Sequence, residues 1–271
     1  MHRTLKLGFL LIWHFAWMLG LGGTLPDSTS AAENAAELLQ QAALAANESN
    51  SEQAEKLATA ALAQDPKLAQ AYYLRGRERF RLGKVAESVA DFDQYVALRP
   101  ELASRQWERG ISCYYAGRFQ QGADQFALYQ TYHDNDVENS VWRYLCMVPL
   151  TGIEKAREAM LPIRDDRRVP MMQIYDLYRG KLQPADVLKA IDADQPTADA
   201  RRSRAFYAHL YLGLYYEVAK EHALAKKYID LAADPELAKN PGLNRYMWDV
   251  ARVHAQQLRA RSAKSPTAQS N

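Results

Sequence analysis

Residues able to do acid–base, nucleophilic or metal chemistry are few in this chain and far apart. Acidic pairs stand at Asp91/Asp93 and Asp165/Asp166. Spacings of one and two point side chains apart on a helix, so neither pair can share a proton as a general acid–base couple. Asp91, Asp93 and Glu87 together read as a solvated helix face. His133, His209, His222 and His254 show no nucleophile or carboxylate partner in the sequence. No metal-ligand spacing such as CxxC or HExxH is present, and no GxSxG, phosphate loop or GxGxxG. The expectation is a protein that is not an enzyme and holds no metal or cofactor. Cys113 and Cys146 can pair if the chain is exported, or each can serve as a small apolar residue on a buried helix face. The triplet Asn47-Glu48-Ser49 is a glycosylation sequon, a short motif that recurs by chance.

What is dense is a repeat. Gly76 and Gly110, Gly83 and Gly117, Phe92 and Phe126, and Tyr95 and Tyr129 are each 34 residues apart. Each copy predicts two helices, over Ala69–Leu82 and Val85–Leu98, then over Ala103–Ala116 and Phe119–Tyr132. Gly83 and Gly117 fall at the break, where a residue free to take positive φ ends a helix at little cost. Gly76 and Gly110 fall inside helices, where glycine costs about 1 kcal/mol against alanine. Close approach of the second helix is the return expected for that cost, with Phe80 and Tyr114 on the same face and Phe92 and Phe126 opposite. An upstream copy, Ala35–Pro66, carries Ala42 in the Gly76 slot and has no aromatic residue. It should bury little and be the weakest hairpin.

A fixed 34-residue period with glycine and aromatic residues in these slots resembles the tetratricopeptide repeat (TPR). The resemblance implies an all-α fold: a TPR-like α-solenoid of stacked antiparallel helix hairpins with an irregular central helical block. It also implies a concave groove lined by the first helices. The expected partner-binding residues are Gln70, Tyr73, Arg77 and Arg81 from one copy and Ser104, Trp107, Ile111 and Tyr115 from the next. Aromatic anchors flanked by arginine suit an extended or helical peptide with acidic groups. The competing expectation is that Tyr73 and Trp107 pack between repeats.

The run RGISCYYAGRFQQGADQFALYQTYHDND, the following VWRYL and the late FYAHLYLGLYY are similar to the NlpI-type envelope TPR adaptor group. That resemblance implies a homodimeric, non-catalytic adaptor that brings peptidoglycan hydrolases and a processing protease together. The chain departs from the group in lacking a lipidation cysteine after its export signal, so no lipid anchor is expected.

The 271 residues carry 34 basic and 32 acidic side chains, a balance that gives no bulk attraction to nucleic acid. Arg3 and Lys6, an apolar run over Leu7–Leu25 and a small-residue site at Ser30-Ala31-Ala32 read as a signal peptide, residues 1–32. Periplasmic or secreted location follows; an uncleaved N-terminal membrane helix is the alternative. Expected units are then a repeat array over 33–135, a degenerate hairpin with short helices over 136–200, a last hairpin with a closing helix over 201–261, and a polar disordered tail, 262–271. Within them, helices are expected over Val137–Val148, Ile153–Leu161 (with Thr151 as its cap), Pro170–Tyr178, Pro184–Ala193, Ala200–Ala219, Glu221–Ala233 and Pro241–Arg261. An enzyme site in the central block would show as a pocket with convergent polar groups.

Overall fold

A computed structural model describes residues 28–263. The expected signal peptide or membrane helix therefore lies almost wholly outside the described residues, as does most of the expected tail. Among the described residues every regular element is helical, and no helix is long and apolar enough to cross a membrane.

The chain runs as pairs: α1 (Ser28–Asn47) with α2 (Ser51–Gln64), α3 (Ala69–Arg81) with α4 (Val85–Leu98), α5 (Trp107–Tyr115) with α6 (Phe119–Tyr129), and α7 (Val137–Thr151) with α8 (Ile153–Glu158). Short helices α9 (Met171–Tyr178) and α10 (Pro184–Ala190) follow, then the pair α11 (Ala198–Val218) and α12 (His222–Ala232), and finally α13 (Arg245–Ala263). Successive pairs touch in chain order, α2 on α3, α4 on α5 and α6 on α7. Helix α13 breaks that order by returning to α3.

Local chemistry fixes the boundaries. Gly83 and Gly117 take φ of +75° and +72°. Each closes the same C-terminal turn: Lys84 N donates to Arg79 O and Arg118 N to Cys113 O, both at 2.8 Å. Starts are capped by side chains, Asn50 for α2, Asp136 for α7 and Thr197 for α11. The mid-helix glycines are where backbones must approach. A Cβ on Gly110 would stand 2.6 Å from the Phe126 ring, and one on Gly213 would stand 2.6 Å from Ile229. Gly76 is looser, its nearest neighbour being Asp91 Cβ at 3.3 Å.

Several boundaries differ from expectation. Residues Pro100–Arg105 wind as a 3-10 helix opened by proline, so α5 starts at Trp107 rather than Ala103. Helix α6 stops at Tyr129. Thr151 ends α7 instead of capping α8; Gly152, at φ +85°, separates them. Helix α1 begins at Ser28 and so runs through the expected cleavage point at Ala32. Ser262 and Ala263, expected in the tail, belong to α13. Asp91 is not on a solvated face: it is 2% exposed and pairs with Arg75 at 2.7 Å and Arg79 at 2.8 Å.

One hydrophobic core extends from Phe80 on α3 to Ala255 on α13 and takes in every later pair. The alanine-rich first pair contributes only a small separate cluster around Ala61, Leu62 and Ala71. Cys113 and Cys146 are free and buried, both against Gly122. Burial pushes the Cys113 thiol up to about 11 and the Cys146 thiol higher still.

Candidate functional site

The eight residues expected to line a groove do lie on α3, on the 3-10 turn before α5 and on α5, but four of them, Arg77, Arg81, Trp107 and Tyr115, face α13. Tyr246 of α13 stacks on Phe80 (centroids 5.2 Å apart) and meets Trp107 edge-on at 5.3 Å. The Arg77 guanidinium lies 5.4 Å over the same Tyr246 ring, and its Nε is 3.1 Å from Glu108. Burial raises the Glu108 carboxyl, with Arg77 beside it opposing. Arg81 donates to Asp249 of α13 at 2.8 Å, and Arg252 donates to the Arg81 carbonyl at 2.6 Å.

Tyr115 meets His254 of α13, hydroxyl to Nδ1, at 3.0 Å. His254 is 1% exposed, and its Nε2 stands 2.8 Å from Glu217 of α11, which also holds Arg261 at 2.7 Å. Burial acts to raise Glu217, but His254 and Arg261 overcome it and hold the carboxyl at about 2. Sequence reading left His254 without a partner because Tyr115 and Glu217 are remote in the chain. Burial holds the Tyr115 phenol well above its ordinary range, so it stays protonated and is no nucleophile. The Tyr115–His254–Glu217 trio therefore acts as a clamp joining α5, α11 and α13.

The remaining expected residues divide. Ile111 is fully buried in the common core. Tyr73 packs on Phe92 and Tyr95 of its own pair, at 5.9 and 5.2 Å, ring contacts inside one repeat where the alternative reading placed them between repeats. Ser104 sits half-buried in the 3-10 turn, and Gln70 alone is exposed. The expectation of an open inner wall thus fails along α5 and the C-terminal half of α3. The physical reason is that α13 sets Tyr246 against Phe80, Trp107 and Arg77, Asp249 against Arg81, and His254 against Tyr115.

The wall can therefore hold an amphipathic helix, using aromatic contacts in the middle and a guanidinium–carboxylate pair at one end. No protein-family model matches this chain.

Proposed function

We propose that the chain is a non-catalytic, TPR-like α-solenoid scaffold of the bacterial cell envelope. On this reading it is an adaptor for protein or peptide partners, cell-wall hydrolases or a processing protease by the resemblance. The observation that supports it is α13 itself: the first-helix wall holds a helix by aromatic and Arg–Asp contacts, the chemistry of helix-in-groove recognition. In the closed chain that helix is supplied in cis. A partner helix competes for the same contacts or docks on the part of the wall near Gln70 that α13 leaves uncovered.

The test is affinity capture from envelope extract with the exported protein, with and without an excess of a synthetic peptide of residues 245–263. Recovery of a wall hydrolase or protease that the peptide displaces is the expected result. Capture unaltered by the peptide refutes wall-based binding.

A further inference from the structure

A pocket with convergent polar groups, the feature expected of a site in the central block, draws half of its lining from that block and half from outside it. It has a volume of about 160 Å³ and lies where α5, α6, α7, α11 and the start of α13 meet. Five aromatic side chains line it, Trp107, Phe126, Tyr129, Trp142 and Tyr207. Its polar lining is Asp136, Glu138, Asn139, Arg168 and Asn244.

The charges there do not balance. Arg168 is the cation of the cluster and meets three carboxylates, Asp136 at 2.7 Å, Glu138 at 2.9 Å and Asp166 at 2.6 Å. A second, independent observation is Asn139. It is 2% exposed, its amide donates to Gln130 Oε1 at 2.9 Å, and its carbonyl oxygen has no hydrogen-bond partner among the described residues. Trp142 Nε1, on the same lining, is also unpaired among them. A buried acceptor without a donor costs about 1–3 kcal/mol, so each such group calls for an explanation.

We propose that this pocket binds a small organic cation, an ammonium group enclosed by aromatic faces and set against Glu138, Asp136 and the Asn139 carbonyl. Aromatic rings attract ammonium groups within about 6 Å of their centroids, more strongly when water is excluded. A cavity of about 150 Å³ accommodates benzene, so the guest has about seven non-hydrogen atoms or fewer. The pocket has no serine, cysteine or histidine on its lining, which favours binding over covalent chemistry.

Glu138 agrees with this geometry. Burial, with Asp136 and Asp166 nearby, lifts its carboxyl to about 7 against the opposing Arg168 charge and Tyr211 hydroxyl; the Tyr207 and Tyr129 phenols also face it. A bound cation supplies the missing positive charge and favours the ionised carboxylate. Binding therefore tightens as pH rises from 6 to 8.

Calorimetry on the full chain with choline, ethanolamine and n-butylammonium tests this, with 3,3-dimethylbutan-1-ol as the neutral isostere of choline. The expected result is binding of at least one amine, a neutral isostere at least tenfold weaker, and tighter binding at pH 8 than at pH 6. Glu138→Gln should weaken the amine at least tenfold with helicity unchanged; if that variant fails to fold, Tyr129→Leu on the half-exposed rim takes its place. Nα-acetyl-lysine amide distinguishes the source: affinity matching n-butylammonium assigns the site to a partner's lysine, and a tenfold loss assigns it to a free amine. No binding by any amine at millimolar concentration, or equal binding of the neutral isostere, overturns the proposal.

Discussion

Replacing Gly110 by alanine isolates the contact that sets the spacing of α5 and α6. The new methyl would stand 2.6–2.9 Å from three carbons of the Phe126 ring. Phe126 is 1% exposed and stacks on the equally buried Trp142, centroids 6.5 Å apart, so the ring can yield only by shifting toward the pocket it lines and disturbing that stack. Overpacking of this kind costs about 1–3 kcal/mol. Alanine returns about 1 kcal/mol of helix propensity. Three contacts under 3 Å put the crowding in the upper part of that range, about 2–3 kcal/mol, so the net loss is about 1–2 kcal/mol, or roughly 2–8 °C in melting temperature for a chain of this size. Gly76→Ala is the internal control: its nearest contacts are 3.3–3.5 Å, so crowding and propensity nearly cancel and the melting temperature should stay within about 3 °C of the parent. Thermal melting by circular dichroism on both variants gives the comparison. A Gly110→Ala protein as stable as the parent, or less affected than Gly76→Ala, refutes the close-approach account. A double-mutant cycle with Phe126→Leu sharpens it, because shrinking the ring should recover part of the loss.

Other outcomes follow from the ion pairs and buried thiols. Asp249 is 2% exposed among Arg81, Arg245 and Arg252; Arg81 keeps Glu78 at 2.7 Å, so Asp249→Asn removes charge-assisted hydrogen bonds rather than stranding a charge and should cost about 1.5–3 kcal/mol; limited trypsin digestion should then cut at Arg245 much faster than in the parent. Glu217 has its carboxyl depressed in the fold from an unfolded value of about 4.3. Its contribution is present above that value and is lost as pH falls toward about 2, so Glu217→Gln should flatten the acid limb of a pH–stability curve. Glu138 runs the other way: its raised carboxyl favours the folded state at low pH, and stability declines as pH rises from about 4.3 to about 7, a decline that Glu138→Gln should remove. Cys113 and Cys146 should resist a maleimide in the native chain and both react after unfolding; rapid native labelling would contradict their burial.

Helix positions were the most legible part of the chain. Gly83, Gly117 and the aromatic spacing are local signals, and each acts within one or two turns of its own helix. The 3-10 turn at Pro100–Arg105 was missed because its hydrophobic spacing fits an α-helix as well; only its hydrogen bonds tell them apart. Asp91 was misread because its partners, Arg75 and Arg79, sit on the other helix of the pair. Arg168 gathers Asp136 and Glu138 from 30 or more residues upstream, a convergence with no local signal.

The amino-acid order alone determined that the chain is helical, where its hairpins turn and which glycines stand between packed backbones, since those depend on contacts a few residues apart. The tertiary structure alone decided what the first helices touch. Helix α13 reaches Arg81 from 168 positions along the chain and Tyr115 from 139, and periodicity carries no information about pairs so remote. The pocket of Trp142, Glu138 and Asn139 has the same origin: its lining converges from four helices, the loop of Arg168 and the segment just before α13, and its unbalanced charge exists only once they meet.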